Sequence, residues 1–78
     1  MIINIKDVLT LNDNNQYVVI SKINYDNKNH YYLLDKNNYQ NVKFCFEDNE
    51  ELVEIDDKEL TTRLLPLFIE VAQKEIDN

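Results

Sequence analysis

The chain has 78 residues, 44% of them apolar and 29% charged, with a net charge of −7. That is sequence for a single domain, residues 1–78, apolar enough for one core and too apolar to be disordered along most of its length. The lone cysteine, Cys45, excludes an internal disulfide, and no apolar run approaches the ~20 residues of a membrane span.

The opening "MIINIKDVLTLNDNN" places Asn4, Lys6 and Asp7 where a signal peptide needs an apolar run. A small domain without disulfide staples fits a reducing compartment, so a cytoplasmic location is expected, with no membrane partner. Twelve asparagines and no glycine, with an excess of Lys and Ile, fit an AT-rich genome such as that of a low-GC bacterium or its phage.

Taken in chain order, "VLTL" (residues 8–11) reads as a short strand and "NDNN" (12–15) as a turn. "QYVVISKIN" (16–24) is a β-branched strand. "YDNKN" (25–29) turns the chain into "HYYLLD" (30–35), and "KNNYQN" leads to "VKFCFE" (42–47). In that last strand Val42, Phe44 and Phe46 point one way, and Lys43, Cys45 and Glu47 the other. "ELVEID" (51–56) is a fifth strand, with Val53 and Ile55 opposed to Leu52 and Glu54. Without glycine, asparagine is the residue that best tolerates the left-handed backbone of hairpin turns. One member of Asn14/Asn15 and one of Asn37/Asn38 is expected to occupy it.

After Asp57 the period lengthens. Leu60, Leu64, Phe68, Val71 or Ala72, and Ile76 recur every three to four residues, which is a helical face. Asp56 or Asp57 is placed to cap it, with Glu59 in a first turn that favours negative charge. Pro66 interrupts the pattern. Two arrangements follow: one kinked helix over about 57–77, or a short turn ending near Leu65 with the main helix starting at Pro66. The second is slightly preferred. The expected fold is α+β: a small antiparallel sheet of four to five strands over residues 8–56, with a C-terminal helix packed on one face.

Charge is segregated along the chain. Residues 1–46 carry five lysines and four aspartates, whereas residues 47–78 carry three basic and eleven acidic residues. The stretch "FEDNEELVEIDDKE" (46–59) holds Glu47, Asp48, Glu50, Glu51, Glu54, Asp56, Asp57 and Glu59 against Lys58 alone. Three readings compete. The first is a solvated edge whose charges block strand-to-strand aggregation. The second is a binding surface for a protein partner with a basic face, as in an inhibitor that imitates nucleic acid. The third is a divalent-metal loop, which the segment's order does not support and which cannot close as an EF-hand without glycine. No metal and no cofactor is therefore expected.

Catalytic chemistry is sparse. His30 is the only histidine, and one Cys with one His cannot make a zinc site. A Cys45–His30 dyad on adjacent strands lacks an evident orienting group or oxyanion hole, so a non-enzymatic protein with no catalytic residue is expected. Tyr17, Tyr25, Tyr31, Tyr32 and Tyr39 could stack bases, but their half of the chain carries only one net positive charge. Strand packing is the stronger reading, and direct nucleic-acid binding is not expected. Leu65, Leu67 and Ile69 lie off the main helical face, which makes "LLPLFIEV" apolar nearly all round and a possible interface for a homodimer.

The run "YVVISKINYDNKNHYYLLD" (17–35) followed by "FCFEDNEELVEID" resembles the small acidic Firmicutes proteins of unknown function of the DUF1292 type. The similarity covers about residues 8–60 and leaves out the helix with Pro66. It implies a small β-rich domain and carries no functional residues. The function expected is that of a small acidic protein-interaction module, of bacterial or phage origin, in which the acidic segment occupies a basic surface. The alternative is a housekeeping or structural module that dimerises through its helix.

Overall fold

The computed structural model describes residues 2–77. Five strands form one antiparallel sheet in the order of the chain: β1 (Val8–Thr10), β2 (Gln16–Tyr25), β3 (Lys28–Asp35), β4 (Val42–Asp48) and β5 (Glu51–Glu54). A single helix, α1 (Lys58–Asp77), follows. The α+β class and the number of strands are as the sequence implies. Each strand is longer or shorter than expected by one or two residues, the ordinary fraying of element ends.

Both faces of the sheet are used. On one, Tyr17, Val19, Tyr31, Leu33 and Cys45 form a buried cluster with Ile3. Leu9 of β1 and Leu52 of β5 pack on that same cluster although they belong to the two outermost strands. The sheet is therefore curled around this inner core. The other, outer face carries α1. Phe68 meets Tyr32 and Phe44 at ring distances of 5.9 and 5.8 Å, and Leu64 and Phe68 are fully buried.

A bulge lets β2 serve both cores. Val19 pairs with Leu33, but the register then shifts so that Ser21 pairs with Tyr32. The extra residue turns Ser21 to the helix side, where its Oγ donates a 2.7 Å hydrogen bond to the Phe68 carbonyl. Lys22 is thereby sent to the inner side, over the Tyr31 ring, with its Nζ donating to the Ile3 carbonyl at 3.0 Å. Ile3 belongs to a segment the strand pattern leaves out, and Lys6, at φ 80°, bends that segment so that its N–H reaches the Val19 carbonyl.

Two hairpins close with two residues at positive φ, Asp26–Asn27 (54° and 63°) and Asn49–Glu50 (51° and 67°), the geometry that matches strand twist. Asn14, at 66°, is the member of its pair that takes the left-handed region. The expectation fails at Asn37/Asn38, where neither φ is positive. There Asp35, buried at the end of β3, shapes the loop with its side chain: Oδ1 accepts from the Asn37 N–H at 2.8 Å and Oδ2 from Asn41 at 3.0 Å. The Asn38 N–H also reaches the Asp35 carbonyl at 3.3 Å, so the chain turns here with negative φ, as a type I turn does, and no left-handed residue is needed.

The break preferred at Pro66 is also corrected. α1 is continuous through Pro66. Proline removes the bond to the Thr62 carbonyl, yet Thr62 and Pro66 are both exposed, so the freed acceptor faces solvent. Leu64 and Phe68, on the opposite side, need an unbroken turn between them to reach the same sheet face. Asp57 caps the start as expected, with Oδ1 accepting from the Glu59 and Leu60 N–H groups at 3.0 and 3.2 Å. The side chain of Ile76, last of the periodic set, lies outside the described residues.

Candidate protein-interaction surface

The acidic segment runs through the end of β4, the Asn49–Glu50 turn, β5 and the first turn of α1. Alternation along paired strands divides it. Glu47 lies opposite Leu52, and Glu54 opposite Cys45, on the inner side; Asp48 lies opposite Glu51 on the outer side. The eight carboxylates therefore wrap around a hairpin tip and do not share one flat face.

Glu47, Asp48, Glu54 and Asp57 hold contacts that bear on the fold. The buried Tyr31 hydroxyl donates to Glu47 Oε1 at 2.9 Å. Burial first, and that carboxylate second, push the Tyr31 hydroxyl up to about 12. Glu54 pairs with Lys43 at 3.2 Å, which raises the Lys43 ammonium above its ordinary value despite some desolvation. Asp48 reaches Lys28 at 3.7 Å with both side chains about half exposed, a contact of little energetic weight. Asp57 is the helix cap. Glu50, Glu51, Asp56 and Glu59 are exposed along the tip and the helix start.

The other candidates separate cleanly. His30 lies opposite Phe46, and Cys45 opposite Tyr31, so the two side chains leave opposite faces of the sheet. His30 packs on Tyr25 and Phe46 with ring distances of 5.6 and 5.8 Å. Burial pushes the Cys45 thiol up to about 11, with the Glu54 charge adding to the effect, so it is a protonated and unreactive side chain at neutral pH. Tyr17 and Tyr31 are core residues and Tyr32 packs between Phe44 and Phe68, which leaves Tyr39, at 76% exposure, as the one tyrosine with an open ring. Among the described residues no cluster of His, Cys, Asp and Glu has the arrangement of a metal site. No described helix is long and apolar enough to cross a membrane. On α1, Leu65 is half-buried, whereas Leu67 and Ile69 are 41% and 44% exposed.

A groove of about 790 Å³ opens between residues 10–13 and β5, with Lys43 and Cys45 in its lining. It lies between the end of β1, with the loop that follows it, and β5, the other outermost strand of the curled sheet. Period-two patterning identifies strand faces but says nothing of how far a sheet curls, and only curling brings β1 and β5 to one groove.

No family model, curated protein or solved structure matches this chain.

Proposed function

We propose that this protein is a non-enzymatic, acidic protein-interaction module that works in the cytoplasm by occupying a basic surface of another protein, one that otherwise grips nucleic-acid phosphates. A phage or mobile element would use such a module as an inhibitor of a host nucleic-acid-handling protein. The observation that carries the reading is the exposure of Glu50, Glu51, Asp56 and Glu59 around one hairpin tip and helix start, in a molecule of net charge −7. Carboxylates so placed pair with lysines and arginines on an approaching partner and speed its encounter.

The test is affinity capture from nuclease-treated lysate, at low and high salt, with wild type and a variant carrying Glu50→Gln, Glu51→Gln, Asp56→Asn and Glu59→Gln. These four positions leave the Glu47–Tyr31 bond, the Glu54–Lys43 pair and the Asp57 cap in place. A nucleic-acid-binding protein retained by wild type at low salt, and lost with the variant and at high salt, is the expected result. Recovery of the same proteins by both forms sinks the reading.

A second reading draws on the exposed apolar side chains of α1. Leu67 and Ile69, with Leu65 beside them, would join two copies of a housekeeping or structural module into a homodimer. Sedimentation separates the two: an apolar interface persists as salt rises, whereas an electrostatic complex does not.

A further inference from the structure

Among the described residues, the two outer strands leave matched backbone groups unpaired. In an antiparallel ladder, directly opposed residues alternate between pairs that exchange both hydrogen bonds and pairs that exchange none. The Ile55 N–H donates to the opposed Phe44 carbonyl at 2.7 Å, which fixes the phase of the β4–β5 ladder. Counting by twos, Phe46/Val53 and Asp48/Glu51 exchange bonds, while Leu52 and Glu54 turn their N–H and C=O groups away from β4. On the other edge, the Leu11 N–H to Asn15 carbonyl bond (3.1 Å) and the Val19 N–H to Asp7 carbonyl bond (2.9 Å) do the same for β1 and β2. Val8 and Thr10 therefore face outward from β1.

Strand direction decides what can fill the space between. Four antiparallel steps leave β1 and β5 pointing the same way. They cannot close on each other as an antiparallel pair, and among the described residues no ladder joins them. One added strand, running opposite to both, would complete an antiparallel barrel over a core to which Leu9 and Leu52 already contribute from either side. The groove is open at that place, and it carries three carboxylates, Asp13, Glu51 and Glu54, against one ammonium, Lys43, which Glu54 already holds.

We propose that the groove between β1 and β5 receives an extended segment of a partner protein, with alternating apolar and basic residues, that pairs with both edges and closes the barrel. Main-chain bonds to Val8, Thr10, Leu52 and Glu54 supply affinity. Apolar side chains directed inward meet Leu52 and Cys45, and basic ones answer Asp13 and Glu51. This rests on the reading of the protein as an acidic module and names how its partner engages.

The experiment selects from a displayed random-peptide library on the intact protein, then measures amide hydrogen exchange with an enriched peptide bound. The expected peptides alternate apolar residues with Lys or Arg and slow exchange at Val8, Thr10, Leu52 and Glu54. Methylating alternate backbone nitrogens of the peptide, in either of the two phases, keeps its charge and removes its donors to one of the two edges, and should weaken binding at least about tenfold. Thr10→Pro removes an outward N–H without touching the β1–β2 ladder, so it should keep the melting temperature and lose the peptide. Should that variant fold poorly, the methylated peptide on wild type still decides. The proposal is overturned if no peptide enriches, if binding survives methylation, or if a bound peptide slows exchange only around the Asn49–Glu50 tip. It is also overturned if the free protein sediments as a dimer with these four amides already slow, since a second copy would then fill the groove. None of these results touches the charge dependence of lysate capture, so the interaction-module reading stands or falls separately.

Discussion

Tyr17 shows how much of the structure rests on single polar contacts. Its ring is buried in the inner core, and its hydroxyl donates to Asp13 Oδ2 at 2.7 Å while accepting from Asn41 Nδ2 at 3.0 Å. That hydroxyl, and then the Asn15 backbone N–H, hold the Asp13 carboxyl below its ordinary value of 3.8. A depressed carboxyl stabilises the fold fully above 3.8, and the contribution is lost as pH falls through the lower folded value. Tyr17→Phe should therefore lower the denaturant midpoint at neutral pH, and its gap from wild type should narrow on acidification through that range. A constant gap across the titration would mean that the hydroxyl acts through Asn41 alone. The turns give a second test. Asn27→Gly places glycine at φ 63° in an exposed two-residue loop and should stabilise by roughly 0.5 kcal/mol. Asn38→Gly should destabilise, because its φ is negative and its Oδ1 accepts from the Gln40 N–H at 3.2 Å. Composition marked asparagine as this chain's turn residue, but which asparagine uses the left-handed region depends on the turn each loop makes: Asp13 and Asp35 both form Asx turns, and only the first encloses a left-handed residue, Asn14.

Elements were legible where the apolar period was clean. The alternation in "VKFCFE" assigns Phe44 and Phe46 to one side and Cys45 to the other, as the β3–β4 and β4–β5 registers have it. Two things escaped it. The bulge between Val19 and Ser21 leaves "VVIS" without an alternating signal, since every residue there is useful on one face or the other. At Pro66 a local rule about proline competes with a helix whose buried residues, Leu64 and Phe68, lie on its far side. If that account is right, Pro66→Ala restores a bond to the Thr62 carbonyl and removes the ring's clash, so stability should rise by roughly 1–3 kcal/mol in a thermal or denaturant melt. A fall would mean that Pro66 is needed where it stands. At the helix start, Asp57→Ala should cost about 1 kcal/mol and Asp57→Asn much less, since asparagine caps nearly as well.

At the scale of the whole molecule, one sheet supports two cores, and the acidic segment is the chain that passes from one to the other. β4 contributes Cys45 to the inner core and Phe44 to the helix side, and the segment 47–59 then carries the chain around the β5 edge into α1. Its position explains why the sequence could locate the charge but not resolve its role. Glu47, Glu54 and Asp57 have structural partners, and these are indistinguishable by sequence from Glu51, Asp56 and Glu59, which sit exposed beside them. In a molecule of net charge −7, these exposed carboxylates add to a self-repulsion that salt screens over a Debye length of ~8 Å at physiological strength. The protein's stability should accordingly rise with added salt over the range in which that repulsion is screened. The variant with Glu50→Gln, Glu51→Gln, Asp56→Asn and Glu59→Gln should be more stable than wild type at low salt and nearly insensitive to salt, by denaturant midpoint at constant slope. Charge that lowers the stability of the free fold is what a surface kept for a basic partner would show. If the variant is instead less stable at low salt, the four carboxylates act in the fold itself, and the case for a partner at the hairpin tip loses its physical basis.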